Sequence, residues 1–195
     1  MVAEVPDLRT AVASPDTFRE AASIAAAGVD VVIGHSGAGA FLPAIADGTD
    51  VPTIIFVDAI VPDASDVFTP SRQLVELLDT VPTVDGLLAP WNEWWPPELM
   101  ARLVPDPTQR RRIESEIPRV PRSFFDAAVA LPPEWWTRPA GYLRLSPAYD
   151  DELARAADWG WPTAELPGRH LDTCAAPAAV AASIWHLIEQ LDRSR

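Results

Sequence analysis

The stretch Val29-Asp30-Val31-Val32-Ile33-Gly34-His35-Ser36-Gly37-Ala38-Gly39-Ala40-Phe41 decides the fold of this chain. Its β-branched apolar run predicts a buried parallel strand, and the small residues that follow predict a tight turn into a helix. Ser36 lies at the apex of that turn. Gly34 and Ala38 flank it two positions away, where small side chains let strand and helix pass closely. The backbone N–H of Gly37 would point toward negative charge that develops beside the Ser36 hydroxyl.

The same stretch allows two other interpretations. One is a glycine-rich junction between strand and helix that carries no chemistry. The other is a phosphate-binding or dinucleotide-binding loop, but Gly34, Gly37 and Gly39 do not fit Gly-x-Gly-x-x-Gly, and a P-loop needs a lysine. The sequence contains no lysine, which excludes the P-loop and any Schiff-base lysine. The junction without chemistry stays open at this point.

Length and composition indicate a globular protein with a substantial core, because the chain has 195 residues of which 48% are hydrophobic. A formal net charge of −13 argues against nucleic acid or an anionic membrane as partner. The single cysteine, Cys174, excludes an internal disulfide and fits a reducing compartment. The sequence shows neither a signal peptide nor an apolar run of membrane-span length. We therefore expect a cytoplasmic protein.

Strands and helices alternate in the first and last parts of the chain. The predicted strands are 2–5, 29–33, 52–62, 141–146 and 162–167, and the predicted helices are 15–28, 37–48, 151–159 and 177–191. This alternation predicts an α/β fold with a mostly parallel sheet flanked by helices. Pro43 falls inside the second helix, where it removes a backbone donor and favours a kink. Ser36 and Asp58 fall at carboxyl ends of strands, where such folds carry their working residues; by position alone, Asp58 fits a turn or cap acid equally well.

Residues 63–139 have a different character. Prolines are dense, strands are not expected, and amphipathic pieces predict short helices at 71–78, 96–103, 107–117 and 124–131. We predict a core of 1–62 and 140–195, with an inserted helical cap, or lid, at 63–139. Five of the eight tryptophans lie in the cap. Trp91, Trp94 and Trp135 are candidates to line an apolar substrate pocket, although each could instead join the short helices to the core.

A second motif follows the last predicted strand. Pro167-Gly168-Arg169-His170-Leu171, with Pro177 soon after, resembles the closing segment of the α/β-hydrolases, and residues 34–38 resemble their Gly-x-Ser-x-Gly nucleophile turn. Ala38 stands where that turn usually has its last glycine. The resemblance extends over nearly the whole chain, including the order serine, acid, histidine. It implies that Ser36 attacks the substrate, that His170 takes and returns the proton, and that an acid orients the imidazole.

The resemblance offers two positions for the acid. Some members, such as haloalkane dehalogenase-like enzymes, carry it at the end of the strand before the cap, which corresponds to Asp58. Others carry it after the strand that follows the cap, which corresponds to Asp150. We predict Asp58, with Asp150 as the alternative.

The remaining candidates have simpler interpretations. Gly37 is the predicted oxyanion donor, and His35 is a candidate for substrate binding, although a packing role is an alternative. His186 falls in the last predicted helix, where we expect a structural role. Three scattered histidines and one cysteine predict no metal site, and we expect no cofactor.

The segment before the nucleophile departs from the family. Members run through several strands before the nucleophile, including a loop that supplies half of the oxyanion hole, whereas here the nucleophile is residue 36. Either the chain is an amino-terminal truncation, or the sheet is naturally short. In the second case Val2 to Val5 would form an edge strand, open to pairing in a homodimer.

The sequence thus predicts an α/β-hydrolase-like enzyme that hydrolyses an ester, thioester or lactone bond of a small-molecule apolar substrate. The alternative is a non-hydrolytic member, either ligand-binding or cyclase-like and biosynthetic, or an inactive truncated hydrolase.

Overall fold

The computed structural model describes residues 3–193, in which helices and strands alternate along much of the chain. The α-helices are α1 (Pro15–Ala26), α2 (Leu42–Thr49), α3 (Arg72–Leu78), α4 (Glu98–Leu103), α5 (Pro107–Glu116), α6 (Asp150–Asp158), α7 (Asp172–Ala175) and α8 (Pro177–Arg193). The strands are β1 (Val31–Ser36), β2 (Thr53–Ala59), β3 (Val67–Phe68), β4 (Thr83–Val84), β5 (Leu87–Leu88), β6 (Val129–Ala130), β7 (Ala140–Arg144) and β8 (Thr163–Glu165). Short 3-10 helices occupy Gly37–Phe41, Trp91–Glu93, Arg122–Phe125, Trp135–Thr137 and Pro147–Tyr149.

Four strands form the main sheet in the order β1-β2-β7-β8, and each neighbouring pair is parallel. Every residue of β2 is buried. A continuous apolar strand of this kind is expected where a parallel sheet is covered on both faces. The predicted α/β fold, a parallel sheet flanked by helices, is therefore confirmed.

Alternate residues of the strands contribute to cores on the two faces of the sheet. One face packs against α8 in a cluster formed by Ile55, Val57, Leu143, Leu145, Val180, Leu187, Ile188 and Leu191. On the other face, Phe56 stacks on Trp161 with ring centroids 5.4 Å apart and also contacts Trp135 at 6.4 Å. The two cores hold the carboxyl ends of the strands in fixed register.

The chain divides into two compact units that alternate along the sequence. One unit comprises residues 26–68 and 130–193 and contains the whole main sheet. The other comprises residues 3–25 and 69–129; within it β4 and β5 pair antiparallel, and Leu78, Val81, Leu88 and Ala89 form a small apolar core. The sequence-based division into a core of 1–62 and 140–195 and a cap of 63–139 stays a prediction.

Several local predictions are wrong. Of the predicted strand 2–5, residues 3–5 form no strand, and Val2 lies outside the described residues. Within the described sheet, β1 is therefore an edge strand. Short strands also occur between residues 63 and 139, where none was expected. The predicted helix 124–131 is replaced by a 3-10 turn and by β6, and the Leu131 N–H donates to the Asp66 carbonyl at 2.9 Å in place of a bond within a helix.

Pro43 causes no kink in the helix that follows Ser36. A 3-10 helix covers Gly37–Phe41, and α2 begins afresh at Leu42 with the proline in its first turn. The missing N–H costs nothing there, because first-turn N–H groups have no partner within the helix. Among residues 3–193, no helix combines the length and apolar character that crossing a membrane requires.

Candidate active site

Ser36 is the last residue of β1 and has an unusual backbone conformation, with φ 57° and ψ −131°. Positive φ is uncommon for residues other than glycine and often marks functional sites. The register with β2 shifts at this point, so that Ser36 pairs with Ala59, and the Ile60 N–H donates to the Ser36 carbonyl at 3.0 Å. This geometry turns the chain sharply from β1 into the 3-10 helix.

The closest approach at this turn involves Gly39. A Cβ atom there would lie 2.1 Å from the carbonyl oxygen of Ile60, so no larger residue fits without a backbone shift. At Gly34 a Cβ atom would lie 2.9 Å from the side chain of Leu42. The spacing around Ser36 predicts the second close approach at Ala38, but the structure has it one residue later, at Gly39. Ala38 is only half-buried, which explains why the last position of the motif need not be glycine.

Asp58 is completely buried at the end of β2, also with positive φ, at 43°. Its Oδ1 accepts from the N–H groups of Leu145 at 2.8 Å and Ser146 at 2.9 Å. Its Oδ2 accepts from the Ser146 hydroxyl at 2.7 Å and from Nδ1 of His170 at 2.8 Å. Burial alone would raise the pKa of Asp58, but the hydrogen bonds from His170, Ser146 and Leu145 outweigh it and lower the pKa below its ordinary value. The carboxylate is therefore ionised at neutral pH.

His170 lies in the loop between β8 and α7 and connects the other two residues. Because an ionised carboxylate can only accept, the proton on the His170 ring belongs on Nδ1. Nε2 can then accept from the Ser36 hydroxyl, whose oxygen is 3.0 Å away. Three side chains, at the ends of β1 and β2 and in the loop after β8, thus form one continuous hydrogen-bonded chain from Ser36 through His170 to Asp58.

His35 contacts His170 in two ways. The ring centroids are 4.5 Å apart, and Nε2 of His35 lies 2.8 Å from the carbonyl oxygen of His170. Since a carbonyl oxygen can only accept, Nε2 of His35 carries a proton and donates a hydrogen bond to the His170 carbonyl. Burial and the neighbouring His170 lower the pKa of His35 to about 4, so its ring is neutral at pH 7.

Tyr149 is also part of the site. Its ring stacks on that of His170 at 5.2 Å with an interplanar angle of 12°, and its hydroxyl is 3.4 Å from Oγ of Ser36. Burial raises the pKa of Tyr149, so the hydroxyl stays protonated at neutral pH. The hydroxyls of Tyr149 and Ser146 were missed by the sequence analysis. A signal was available, because Ser146 ends the predicted strand 141–146 and Tyr149 follows it, at the carboxyl edge that carries Ser36 and Asp58.

The alternative acid, Asp150, has a different partner. It is the first residue of α6, and its Oδ1 lies 3.2 Å from Nε of Arg144. The same arginine also pairs with Glu165. The structure therefore brings Asp58, and not Asp150, against His170. Gly37 opens the 3-10 helix after Ser36, a position whose N–H has no acceptor within the helix.

The three candidate tryptophans belong to different compact units. Trp135 is only 1% exposed, and its ring packs among those of Phe56, Trp159 and Trp161 in the core. This leaves its ring almost no surface for a ligand. Trp91 and Trp94 belong to the other compact unit, where the indole N–H of Trp94 donates to the Ala89 carbonyl at 2.6 Å. A role for these two side chains in substrate binding stays a prediction.

Within residues 3–193, no group of three or more His, Cys, Asp and Glu side chains is placed to hold a metal ion. Comparisons of the chain with protein-family models and with curated proteins give no match. The interpretation of the site therefore rests on its own geometry.

Proposed function

We propose that this protein is an α/β-hydrolase-like serine hydrolase that cleaves an ester, thioester or lactone bond of a small apolar substrate. One observation carries the proposal: the hydrogen-bonded chain from Oγ of Ser36 to Nε2 of His170 at 3.0 Å, and from Nδ1 of His170 to Oδ2 of Asp58 at 2.8 Å. A nucleophile, a base and an orienting acid in this order are the parts that acyl transfer needs. The positive φ of Ser36, typical of a nucleophile turn, supports the same interpretation.

In the first half of the reaction, Oγ of Ser36 attacks the carbonyl carbon while its proton passes to Nε2 of His170. Asp58 stabilises the imidazolium that forms. The Gly37 N–H donates to the oxygen that becomes negatively charged. The bond to the leaving group then breaks, and the leaving group takes the proton from Nε2, which leaves an acyl group on Ser36.

In the second half, water attacks the acyl carbon and gives its proton to Nε2 of His170. Collapse of the intermediate breaks the bond to Oγ, and Ser36 regains its proton from the imidazolium. The products are the carboxylic acid and the alcohol or thiol, or one hydroxy acid from a lactone. The preference for a small apolar acyl group rests on the tryptophan-rich sequence of residues 63–139.

The test is the intact mass of the protein after incubation with a fluorophosphonate, a reagent that phosphonylates activated serines. We expect one adduct on the wild type and none on Ser36→Ala or His170→Ala. Ser115→Ala is the matched control, because Ser115 is exposed on α5 and its loss should leave the adduct in place. No adduct on a folded wild-type chain would contradict the proposal and would favour a ligand-binding or cyclase-like protein.

A further inference from the structure

Two rings of the site have no part in the proton transfers. His35 and Tyr149, here called the supporting pair, both contact the imidazole of His170, with centroids at 4.5 Å and 5.2 Å respectively. They come from different parts of the sheet, since His35 belongs to β1 and Tyr149 follows β7. What they share is contact with the proposed base, His170.

The loop that carries His170 is held on both sides of the histidine. Before it, the Gly168 N–H donates to the Leu145 carbonyl at 2.9 Å. Across the histidine, Oδ2 of Asp172, which follows it, accepts from the N–H of Arg169, which precedes it, at 2.9 Å. At His170 itself, the main-chain carbonyl accepts from Nε2 of His35 at 2.8 Å. This bond ties the backbone of the base directly to the residue that precedes the nucleophile.

Tyr149 contributes mainly through its ring. Its hydroxyl is 3.4 Å from Oγ of Ser36, which is long for a bond between hydroxyl oxygens. Its ring, by contrast, lies nearly parallel to that of His170, at an angle of 12°. Stacking of this kind restricts rotation of the imidazole about its side-chain bonds, and this rotation would separate Nε2 from Ser36 and Nδ1 from Asp58.

We infer that His35 and Tyr149 are positioning residues that hold the imidazole of His170 in line with Ser36 and Asp58. The inference rests on the proposed function for its catalytic meaning. The neutrality of His35 fits this role, because a protonated ring at this distance would repel the imidazolium that forms during the reaction.

The experiment separates the contribution of the aromatic ring from that of the hydrogen-bonding group, both at His35 and at Tyr149. His35→Gln keeps an N–H that can reach the His170 carbonyl, whereas His35→Phe keeps a ring without the donor. Tyr149→Phe keeps the stacked ring, whereas Tyr149→Leu removes it. His186→Phe on the exposed face of α8 is the matched control for a histidine replacement. Two quantities are measured: the rate of fluorophosphonate labelling, and the downfield proton resonance of the His170 Nδ1–H, identified by its loss in His170→Ala.

We expect H35F and Y149L each to lower the labelling rate about tenfold or more, the equivalent of losing one good interaction, and to shift or broaden the Nδ1–H resonance. H35Q and Y149F should each recover most of the rate and a resonance close to that of the wild type. H186F should label like the wild type. If H35F does not fold, the comparison of Y149L with Y149F decides the question.

The inference is overturned if H35F and Y149L are folded, label at the wild-type rate and keep the wild-type resonance. That result would leave the proposed function standing. If instead the wild type is not labelled at all, the proposed function fails, and the resonance still shows whether the supporting pair orients His170.

Discussion

Two of the three residues in the hydrogen-bonded chain have positive φ, Ser36 at 57° and Asp58 at 43°. Neither is glycine, so each conformation costs free energy, of the order of 1–3 kcal/mol, which the surrounding bonds must offset. At Ser36 the Ile60 N–H supplies such a bond. At Asp58, both the carbonyl and the N–H of the next residue, Ala59, bond to the hydroxyl of Tyr142. The site thus depends on backbone conformations that do not occur in regular β-strands.

Replacing Asp58 with asparagine should abolish most of the labelling at Ser36. The NH₂ group of the new side-chain amide cannot accept from Nδ1, so the His170 proton moves to Nε2, which can then no longer accept from Ser36. We expect the rate of fluorophosphonate labelling to fall on the order of 10³–10⁴-fold, the magnitude seen when the acid of such a triad is neutralised.

The control for this variant is Asp150→Asn, which removes the alternative acid. The side chain of Asp150 is 59% exposed in its ion pair with Arg144, so its loss should change the labelling rate only slightly. A larger loss of labelling in D150N than in D58N would show that the acid is assigned to the wrong residue.

At the scale of the elements, the turn between β1 and α2 depends on Gly39. A methyl group there would lie 2.1 Å from the Ile60 carbonyl, so Gly39→Ala must push the 3-10 helix away from the end of β2. We expect a loss of about 1–3 kcal/mol in the free energy of unfolding, measured by urea denaturation, together with slower labelling of Ser36.

Gly48→Ala is the matched control, because Gly48 is exposed in α2 and a Cβ atom there meets nothing within 4 Å. This variant should be neutral or stabilising by roughly 0.5–1 kcal/mol, since alanine favours a helix over glycine. Equal stabilities of the two variants would contradict the importance of the close approach at Gly39.

The elements that were predictable from sequence are those with a strong local signal. The apolar runs of β1 and β2 and the apolar spacing of α8 identify these elements without tertiary information. Pro43 was misjudged because its effect depends on where a helix starts, and a 3-10 helix moved that start to Leu42. The segment 124–131 was misjudged because its composition favours a helix, while its backbone bonds to a residue distant in sequence, since the Leu131 N–H donates to the Asp66 carbonyl.

The residues of the site also divide into those that were predicted from the sequence and those that were missed. Ser36 and His170 lie in recognisable local patterns, and Asp58 lies at a strand end, so all three were nameable from the sequence. Tyr149 and Ser146 were missed, although their position after β7 offered a signal. Neither residue belongs to a sequence motif, and their contacts with Ser36 and Asp58 follow from the order of the strands in the sheet.

At the scale of the whole molecule, the half-buried His35 makes stability depend on pH. Its pKa is about 4 in the folded protein and 6.5 in its ordinary state, so the unfolded chain binds a proton first as pH falls. The stabilisation is complete above about pH 6.5 and is lost as pH falls toward 4; the full shift corresponds to about 3 kcal/mol. Asp58, whose folded pKa is lowered, adds a loss in the same direction below its ordinary value of 3.8.

The variant His35→Gln isolates this effect, because it cannot take up a proton. We expect urea denaturation, followed by tryptophan fluorescence, to show a smaller loss of stability between pH 7.5 and pH 4.5 in H35Q than in the wild type. The burial of Glu152 raises its pKa and acts in the opposite direction, but equally in both proteins, so it cancels in the comparison. Equal losses in the two proteins would mean that His35 is protonated without cost.

The strand order has a consequence for how this protein would lose activity. Within the described sheet, β1 has β2 as its one neighbour, whereas β2 lies between β1 and β7. An edge strand frays at a lower free energy than the middle of a sheet. Ser36, the proposed nucleophile, therefore belongs to a strand that can detach while Asp58, Ser146 and His170 are still assembled. We therefore expect mild heat or denaturant to abolish fluorophosphonate labelling of Ser36 well before spectroscopic signs of unfolding.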